Sequence, residues 1–443
     1  MTKPLEELAR GFRKRTLVTA KLAGKVGLKM ARRTLGGRRE DAPVDSVAAT
    51  AAARELVTQL GALKGLVMKV GQMASYLPGA LPEEAQRVLA SLQAESTAMS
   101  WARVAEVVEA ELGAAPDALF ESFEREPFAA ASIGQVHRAR FDGRDVAVKV
   151  QYPGIEAVLA SDLSTFGWMT KISTLGLPMD ASALTEELRS RILEECDYTL
   201  EARNQRELAA IMADDPDARV PGVVAERSSR RVLTTELVEA MRFGAFLETG
   251  STGAKNRAGE VIFRNCFTSI FRHGVYNGDP HPGNYLFDAD GRVTFLDFGC
   301  VRRFDADFVA RWKRFARGII DDEQASFEDN FRALGFVGRE KGFDFAHQWE
   351  ITRHLYAPFI ERDPYFTYTD AYVRESYSVM IFDNPNQYRM AMPPEWLLLN
   401  RLQWGLNAVL AKLHATAPWP EHFRSAVESE LLSSPPAQAR PAA

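Results

Sequence analysis

Read from the amino terminus, apolar and polar positions first follow a helical period. Val18, Leu22, Val26 and Met30 recur every four residues beside Lys21, Lys25 and Lys29, which draws an apolar and a basic stripe along one amphipathic helix. Gly24 and Gly27 weaken that helix. A helical pattern then runs from Asp45 to about Glu124, with Pro82-Glu83-Glu84 and Ser100 as start signals. Next the period shortens to two. Gln135–Ala139 and Asp145–Val150 alternate as strands around the turn residues Asp142 and Gly143. Helical spacing resumes over Ile155–Ile172 and Ala183–Met212, and Arg231–Val238 reads as a strand. From Phe243 onward the pattern is helical except for one short hairpin. The tail after Ser433 is rich in Pro and Ala and is expected to be disordered. A small β-containing lobe followed by a larger helical lobe predicts an α+β fold with a ligand cleft between two lobes. The expected divisions are a basic tail at 1–44, a helical extension at 45–125, a first lobe at 126–240, a helical second lobe at 241–433 and a tail at 434–443.

Composition narrows this picture. The 443 residues are 46% hydrophobic and 26% charged, as in ordinary globular proteins. A net charge of −5 argues against nucleic acid as the main partner. The charge is uneven, however: Arg10 to Arg39 holds many Lys and Arg and no acidic residue. Such a segment suits an anionic membrane surface. A solvated basic helix, a partly disordered tail or a transit peptide share that composition, although Glu6 and Glu7 count against the last. Cys196, Cys266 and Cys300 stand far apart, which excludes a disulfide framework and points to a reducing, cytoplasmic compartment. No apolar run is long enough for a membrane span, and no secretory signal is visible, so membrane contact is expected to be peripheral, on the inner face. Trp396–Leu413 reads as an amphipathic core helix.

Two stretches carry chemistry. Val146-Ala147-Val148-Lys149 buries one strand face and leaves Lys149 on the other, although strand-end lysines are common by themselves. Asn277 to Gly299 reads NGDPHPGNYLFDADGRVTFLDFG. Here Tyr285–Phe287 and Arg292–Leu296 form a hairpin around Asp288–Gly291, so Asn284 and Asp297 meet at one end. Their oxygens suit Mg²⁺, which prefers hard donors and bound phosphates. Asp279 sits one loop away, where a carboxylate can deprotonate a hydroxyl. Asp-x4-Asn, a hairpin and Asp-Phe-Gly, downstream of V-A-V-K, follow the order of parts in kinase phosphoryl transfer.

AAASIGQVH, VAVKVQYPG, ECDYTLEARN, GDPHPGN and LDFG together resemble the UbiB family of atypical kinase-like proteins, the AarF/ADCK-like group tied to coenzyme Q biosynthesis. Lys69-Val70-Gly71-Gln72 matches its KxGQ signature. The resemblance is close over Leu63–Gly299 and looser over Asn400–Leu413. It implies a protein-kinase-like two-lobed fold with an N-terminal helical extension, binding ATP and Mg²⁺ in support of ubiquinone or other isoprenoid-lipid metabolism. By the same resemblance Lys149 contacts the α/β-phosphates and Glu201 is its helix-borne partner. Glu195 and Asp197 form a pair facing Lys69 and Gln72, and the backbone of Glu236 and Val238 reads adenine from a Thr235–Val238 hinge. Asp279 becomes the catalytic-loop aspartate, and Asn284 and Asp297 the metal ligands. Asn277-Gly278 departs from the His-Ala of many members, which puts the orientation of the Asp279 loop in doubt. Without that pattern Lys69 reads as a snorkelling core-helix lysine, and Glu195 and Asp197 as solvated helix charges.

Ala129, Ala130 and Ala131 stand where a nucleotide-binding loop carries glycines, with Ser132 adding one hydroxyl donor. Alanine forbids most of the φ > 0 range that lets a loop close over phosphates. Nucleotide binding with restrained or unusual phosphoryl transfer is therefore expected. Three function classes stay open: an atypical ATPase or small-molecule/lipid kinase, a nucleotide-regulated isoprenoid-lipid-binding module with little turnover, and a protein kinase. The last is disfavoured because no Ala-Pro-Glu follows Asp297-Phe298-Gly299; the chain runs into a helical pattern instead. Quinone-like lipids and an anionic membrane surface are the expected partners, and no oligomeric state is assigned.

Overall fold

The computed structural model describes residues 98–131, 133–157, 194–360, 364–391 and 393–432. The basic amino-terminal segment, Lys69 and Gln72, Ser132, the helical pattern over 158–193 and the carboxyl-terminal tail lie outside the described residues. The chain forms two compact units. One holds the described residues up to Leu200 together with Val224–Leu237; the other holds Glu201–Val223 and everything from Val238 onward.

In the first unit the alternating segments become strands Gly134–Phe141 and Arg144–Gln151, paired antiparallel residue for residue. Asp142 (φ 49°) and Gly143 (φ 69°) turn between them. Two consecutive positive φ values give the turn twist that suits flanking strands. Strand Val232–Glu236 continues the ladder on the far side, with Val148 opposite Thr234. Val146, Val148 and Val150 share one buried face, and helix Trp101–Leu112 offers it Val104, Val107 and Val108 at helical spacing. Each valine so buried contributes roughly 2 kcal/mol relative to exposure. That helix ends at Gly113, whose left-handed φ of 83° a residue with a Cβ would resist.

A buried polar chain ties the helix start to the sheet. The Gln135 side-chain oxygen accepts from the Met99 amide at 2.6 Å, and its nitrogen lies 2.9 Å from His137 Nε2. With the Gln135 nitrogen donating there, His137 Nδ1–H donates to the Glu124 carbonyl at 2.8 Å. Burial pushes the His137 pKa down, opposed by that carbonyl, so the ring is held neutral.

The helical expectation up to Glu124 is corrected. Helices end at Leu119, and Ser122–Phe123 forms a strand pairing with Ala139 and Arg140. Two residues are too few to show a period. The three alanines are a second correction. Ala129–Ala131 is a strand, with Ala129 opposite Val136 and Ala131 opposite Gly134, rather than a loop. Alanine's preference for φ < 0 suits that extended backbone.

In the second unit the hairpin is not isolated. Tyr285–Phe287 and Val293–Phe295 are the centre of a four-stranded sheet flanked by Ala218–Arg219, parallel to Val293–Phe295, and by Met241–Arg242. Gly291 (φ 90°) completes the turn, and a Cβ there would stand 2.3 Å from the Ala254 carbonyl. Arg257 pairs with Asp217 and Asp290, and Arg264 with Asp215, pinning the turn end of the hairpin to helix Thr252–His273. The Arg257 guanidinium holds the Asp217 carboxyl below its usual range. Helices Ala306–Ile320, Pro394–Leu413 and Trp419–Glu428 join Thr252–His273 around an aromatic core in which Phe359 and Phe423 stack at 4.2 Å. The three cysteines are free thiols, and burial raises Cys266 to about 12, so it stays protonated. No described helix is long and apolar enough to cross a membrane.

Candidate active site

The site is built from one short ladder and one short hairpin. Strand Val275–Asn277 pairs antiparallel with Val301–Arg303, with Asn277 opposite Val301. The two loops leaving this ladder, Gly278–Asn284 and Leu296–Cys300, are therefore rooted side by side. The hairpin closes their other ends. Tyr285 lies opposite Phe295, and the Leu296 amide donates to the Asn284 carbonyl at 2.8 Å. Asp279, Asn284 and Asp297 are thus gathered at one end of the hairpin.

Side-chain amides organise that end. Asn277 Nδ2 donates to the Asp297 carbonyl at 2.8 Å, while its Oδ1 accepts from the Asp279 amide at 3.2 Å. One side chain therefore joins both loops, and the Asn277-Gly278 departure orients the Asp279 loop rather than freeing it. Asn284 Nδ2 donates to the Asp279 carbonyl at 2.9 Å and to its carboxylate at 3.2 Å. Asp297 takes a left-handed φ of 59°, and its Oδ1 accepts from the Gly299 amide at 3.1 Å. Gly278 is close-packed, since a Cβ there would stand 3.1 Å from the Cys300 carbonyl. A longer-range support comes from helix Pro394–Leu413. A Cβ on Gly405 would stand 2.4 Å from Pro280, so only glycine lets this helix approach the Asp279 loop so closely.

The donors fit Mg²⁺ in kind. With its nitrogen turned to Asp279, Asn284 keeps an amide oxygen for a cation, and Asp297 brings a carboxylate. Both are hard oxygen donors. Among the described residues no group of three or more His, Cys, Asp or Glu side chains could hold a metal. Two protein donors alone make a weak site, which phosphate oxygens of a bound nucleotide would have to complete.

In the first unit, Lys149 lies opposite Val136 on one side and Leu233 on the other. Its ammonium sits over the Tyr198 ring, 4.9 Å from the centroid, an attraction of about 1 kcal/mol. The tight position in this hairpin is Gly134, not the alanines. A Cβ there would stand 2.3 Å from the Val150 carbonyl and 2.9 Å from the Tyr198 hydroxyl. Glu236 lies opposite Val146 at the end of its strand, and Val238 already belongs to the second unit. Glu201 is 6% exposed in the first turn of helix Tyr198–Met212. Asp197 caps that helix: its carboxylate accepts from the Thr199 amide at 2.9 Å and the Thr199 hydroxyl at 2.6 Å. Glu195 lies two residues before Cys196's successor Asp197, partly buried. Lys69, Gln72 and Ser132 lie outside the described residues.

Three residues escaped the sequence reading as contributors, Asn204, Tyr198 and Gly405, while Asn277 stood out only as a departure from the family pattern. Asn204 and Tyr198 stand inside ECDYTLEARN, where their motif position is the only signal.

Residues 91–329, more than half of the chain, match the ABC1 atypical kinase-like domain. The chain belongs to the UbiB family of atypical kinase-like proteins. It is 32% identical over 374 residues to the rat mitochondrial atypical kinase COQ8B, a match spanning 82% of this chain and 69% of that one. A Caenorhabditis elegans mitochondrial atypical kinase, coq-8, is 30% identical over 412 residues, 89% of this chain and 54% of its own length. Among solved structures, Rv3197 of Mycobacterium tuberculosis in complex with erythromycin aligns with a TM-score of 0.64 at 30% identity, over 87% of this chain and 98% of that one. The α+β, kinase-like fold of this UbiB member agrees with that likeness.

Proposed function

We propose that this UbiB-family protein is an atypical kinase-like ATPase, or a small-molecule or lipid kinase, that uses Mg-ATP and supports ubiquinone or other isoprenoid-lipid metabolism. The observation that carries the reading is the gathering of Asp279, Asn284 and Asp297 at one hairpin end, joined through Asn277. Asp279 would accept the proton of an attacking hydroxyl or water. Asn284 and Asp297 would hold Mg²⁺, which when bound neutralises charge on the phosphates. Lys149 would contact the α/β-phosphates, with Glu201 as its carboxylate partner. The link to quinone lipids rests on the family and on the COQ8 names of its relatives.

A small acceptor is favoured over a peptide by the chain after Gly299. It enters strand Val301–Arg303 and then helix Ala306–Ile320, capped by Asp305. The strand corrects the expectation of an immediate helix. Little chain is left there to form a peptide-docking segment. The strand geometry of Ala129–Ala131 supports a second reading, a nucleotide-regulated lipid-binding module with little turnover, because this segment lacks the glycines that close over phosphates.

ATP hydrolysis by the purified protein decides between them, measured with and without anionic liposomes and a soluble quinone-like headgroup. Turnover that needs Mg²⁺ and rises with either addition supports the first reading. Mg-ATP binding without turnover under all these conditions supports the second. Neither binding nor turnover would contradict both.

A further inference from the structure

Asn204 lies on helix Tyr198–Met212, one turn after Glu201, with only 9% of its surface exposed. Both ends of its amide are engaged. Nδ2 donates to the Phe298 carbonyl at 3.0 Å, and Oδ1 accepts from Arg303 at 3.1 Å. Arg303 also pairs with Glu207, one turn further along the same helix. Arg303 is paired opposite Val275 in the ladder that carries Asn277. The Asn204 amide is therefore held from two sides and aimed at the Phe298–Gly299 peptide, whose N–H edge faces the Asp297 carboxylate.

We propose that Asn204 is a positioning residue for Asp297. The proposal rests on the reading of Asp297 as a metal ligand. Asp297 has a φ of 59°, a region that costs a residue with a Cβ free energy. Such a conformation persists when its surroundings over-determine it. Here the carbonyls of Asp297 and Phe298 are each tied by an asparagine amide, from Asn277 and Asn204 respectively. The Phe298–Gly299 peptide that Asn204 holds by its carbonyl donates its Gly299 N–H to Asp297 Oδ1 at 3.1 Å, so holding that plane holds the donor that orients the carboxylate. Without Asn204, the Phe298 carbonyl becomes an acceptor without its donor, and the peptide gains freedom to rotate. Asn204 thus acts on the metal site through Asp297.

The test uses Asn204→Asp, which removes the donor to Phe298 and keeps an acceptor for Arg303, and Asn204→Ser, whose hydroxyl is shorter than the amide that spans to the Phe298 carbonyl and adds no charge. Two quantities are read on the full chain. One is hydrogen exchange of the 296–300 segment in metal-free protein. The other is the Mg²⁺ concentration giving half of the ATP-dependent thermal shift. Faster exchange in that segment and about a tenfold higher Mg²⁺ requirement are expected, the usual scale for losing a partner that orients a metal ligand. The shift with ATP alone should stay as in the unmodified protein. A folded variant with the wild-type Mg²⁺ requirement overturns the proposal, whether or not exchange changes, because Asn204 would then be structural only. If Asn204→Asp does not fold, Asn204→Ser decides by the same readings. An unmodified protein that shows no Mg²⁺-dependent shift instead contradicts the metal-ligand reading itself.

Discussion

The two hairpins of this protein share a plan but hold their functional ends differently. Each has an Asp- and Gly-containing turn at one end and candidate site residues at the other. Gly134–Phe141 and Arg144–Gln151 pair over eight positions, and Val232–Glu236 adds a second ladder beside them. Lys149 is therefore placed by backbone pairing on both sides. Tyr285–Phe287 and Val293–Phe295 pair over three positions only. Beyond them the loops are tied by a few backbone bonds and by the side-chain amides of Asn277, Asn284 and Asn204. A backbone ladder tolerates most side-chain replacements, whereas an amide clamp fails with a single one. The Lys149 end should be robust to substitution and the Asp297 end fragile.

The long hairpin breaks only where its backbones touch. Gly134→Ala places a Cβ 2.3 Å from the Val150 carbonyl, forcing the two strands apart. A loss of about 3 kcal/mol is expected from overpacking of this kind, seen as a lower urea midpoint with an unchanged slope. A wild-type midpoint would mean the strands adjust freely. At the short hairpin, Asn277→Ala should cost about 2 kcal/mol, because it leaves the Asp297 carbonyl without its donor. It should also weaken Mg²⁺-dependent ATP binding, which Gly134→Ala does only through the fold. Calorimetric titration of the folded variant checks this, and undiminished binding would show that Asn277 does not set the Asp297 end.

The smallest effect is one of pH. Burial, the largest influence, holds the His137 pKa below 6.5, against the raising effect of the Glu124 carbonyl. As pH falls below 6.5 the unfolded chain takes up the proton first. The stability due to neutral His137 is therefore complete above that value and is lost as pH falls towards the folded-state pKa. Over this window the urea midpoint of the wild type should fall more steeply than that of His137→Gln. Parallel curves would mean that the ring is not held neutral.

What could be read from the sequence follows the same division. The eight-residue strands, their Asp142-Gly143 turn and the placement of Lys149 opposite a valine-rich face all follow from alternation and turn chemistry. The Pro394–Leu413 helix likewise follows from its apolar stripe. Strands of two residues, such as Ala218–Arg219 and Met241–Arg242, leave no period to detect, so the sequence shows only a lone hairpin where a four-stranded sheet forms. The alanines misled because a motif position was read as a loop, while the residue needing no side chain was Gly134. Asn204 and Asn277 look in a sequence like any polar helix or loop residue. Their partners are 94 and 20 residues away, at distances that periodicity does not reach. Gly405 reads as a weak point of a helix until Pro280 is seen against it.

The claim on which the account depends is that the short hairpin presents Asp297 as a ligand for the Mg²⁺ of Mg-ATP. Calorimetric titration of ATP into the wild type and Asp297→Asn, each with and without Mg²⁺, tests it most directly. The account predicts that Mg²⁺ strengthens ATP binding to the wild type, that this gain disappears in Asp297→Asn, and that the two proteins bind ATP alike without Mg²⁺. An equal gain from Mg²⁺ in both proteins would contradict it.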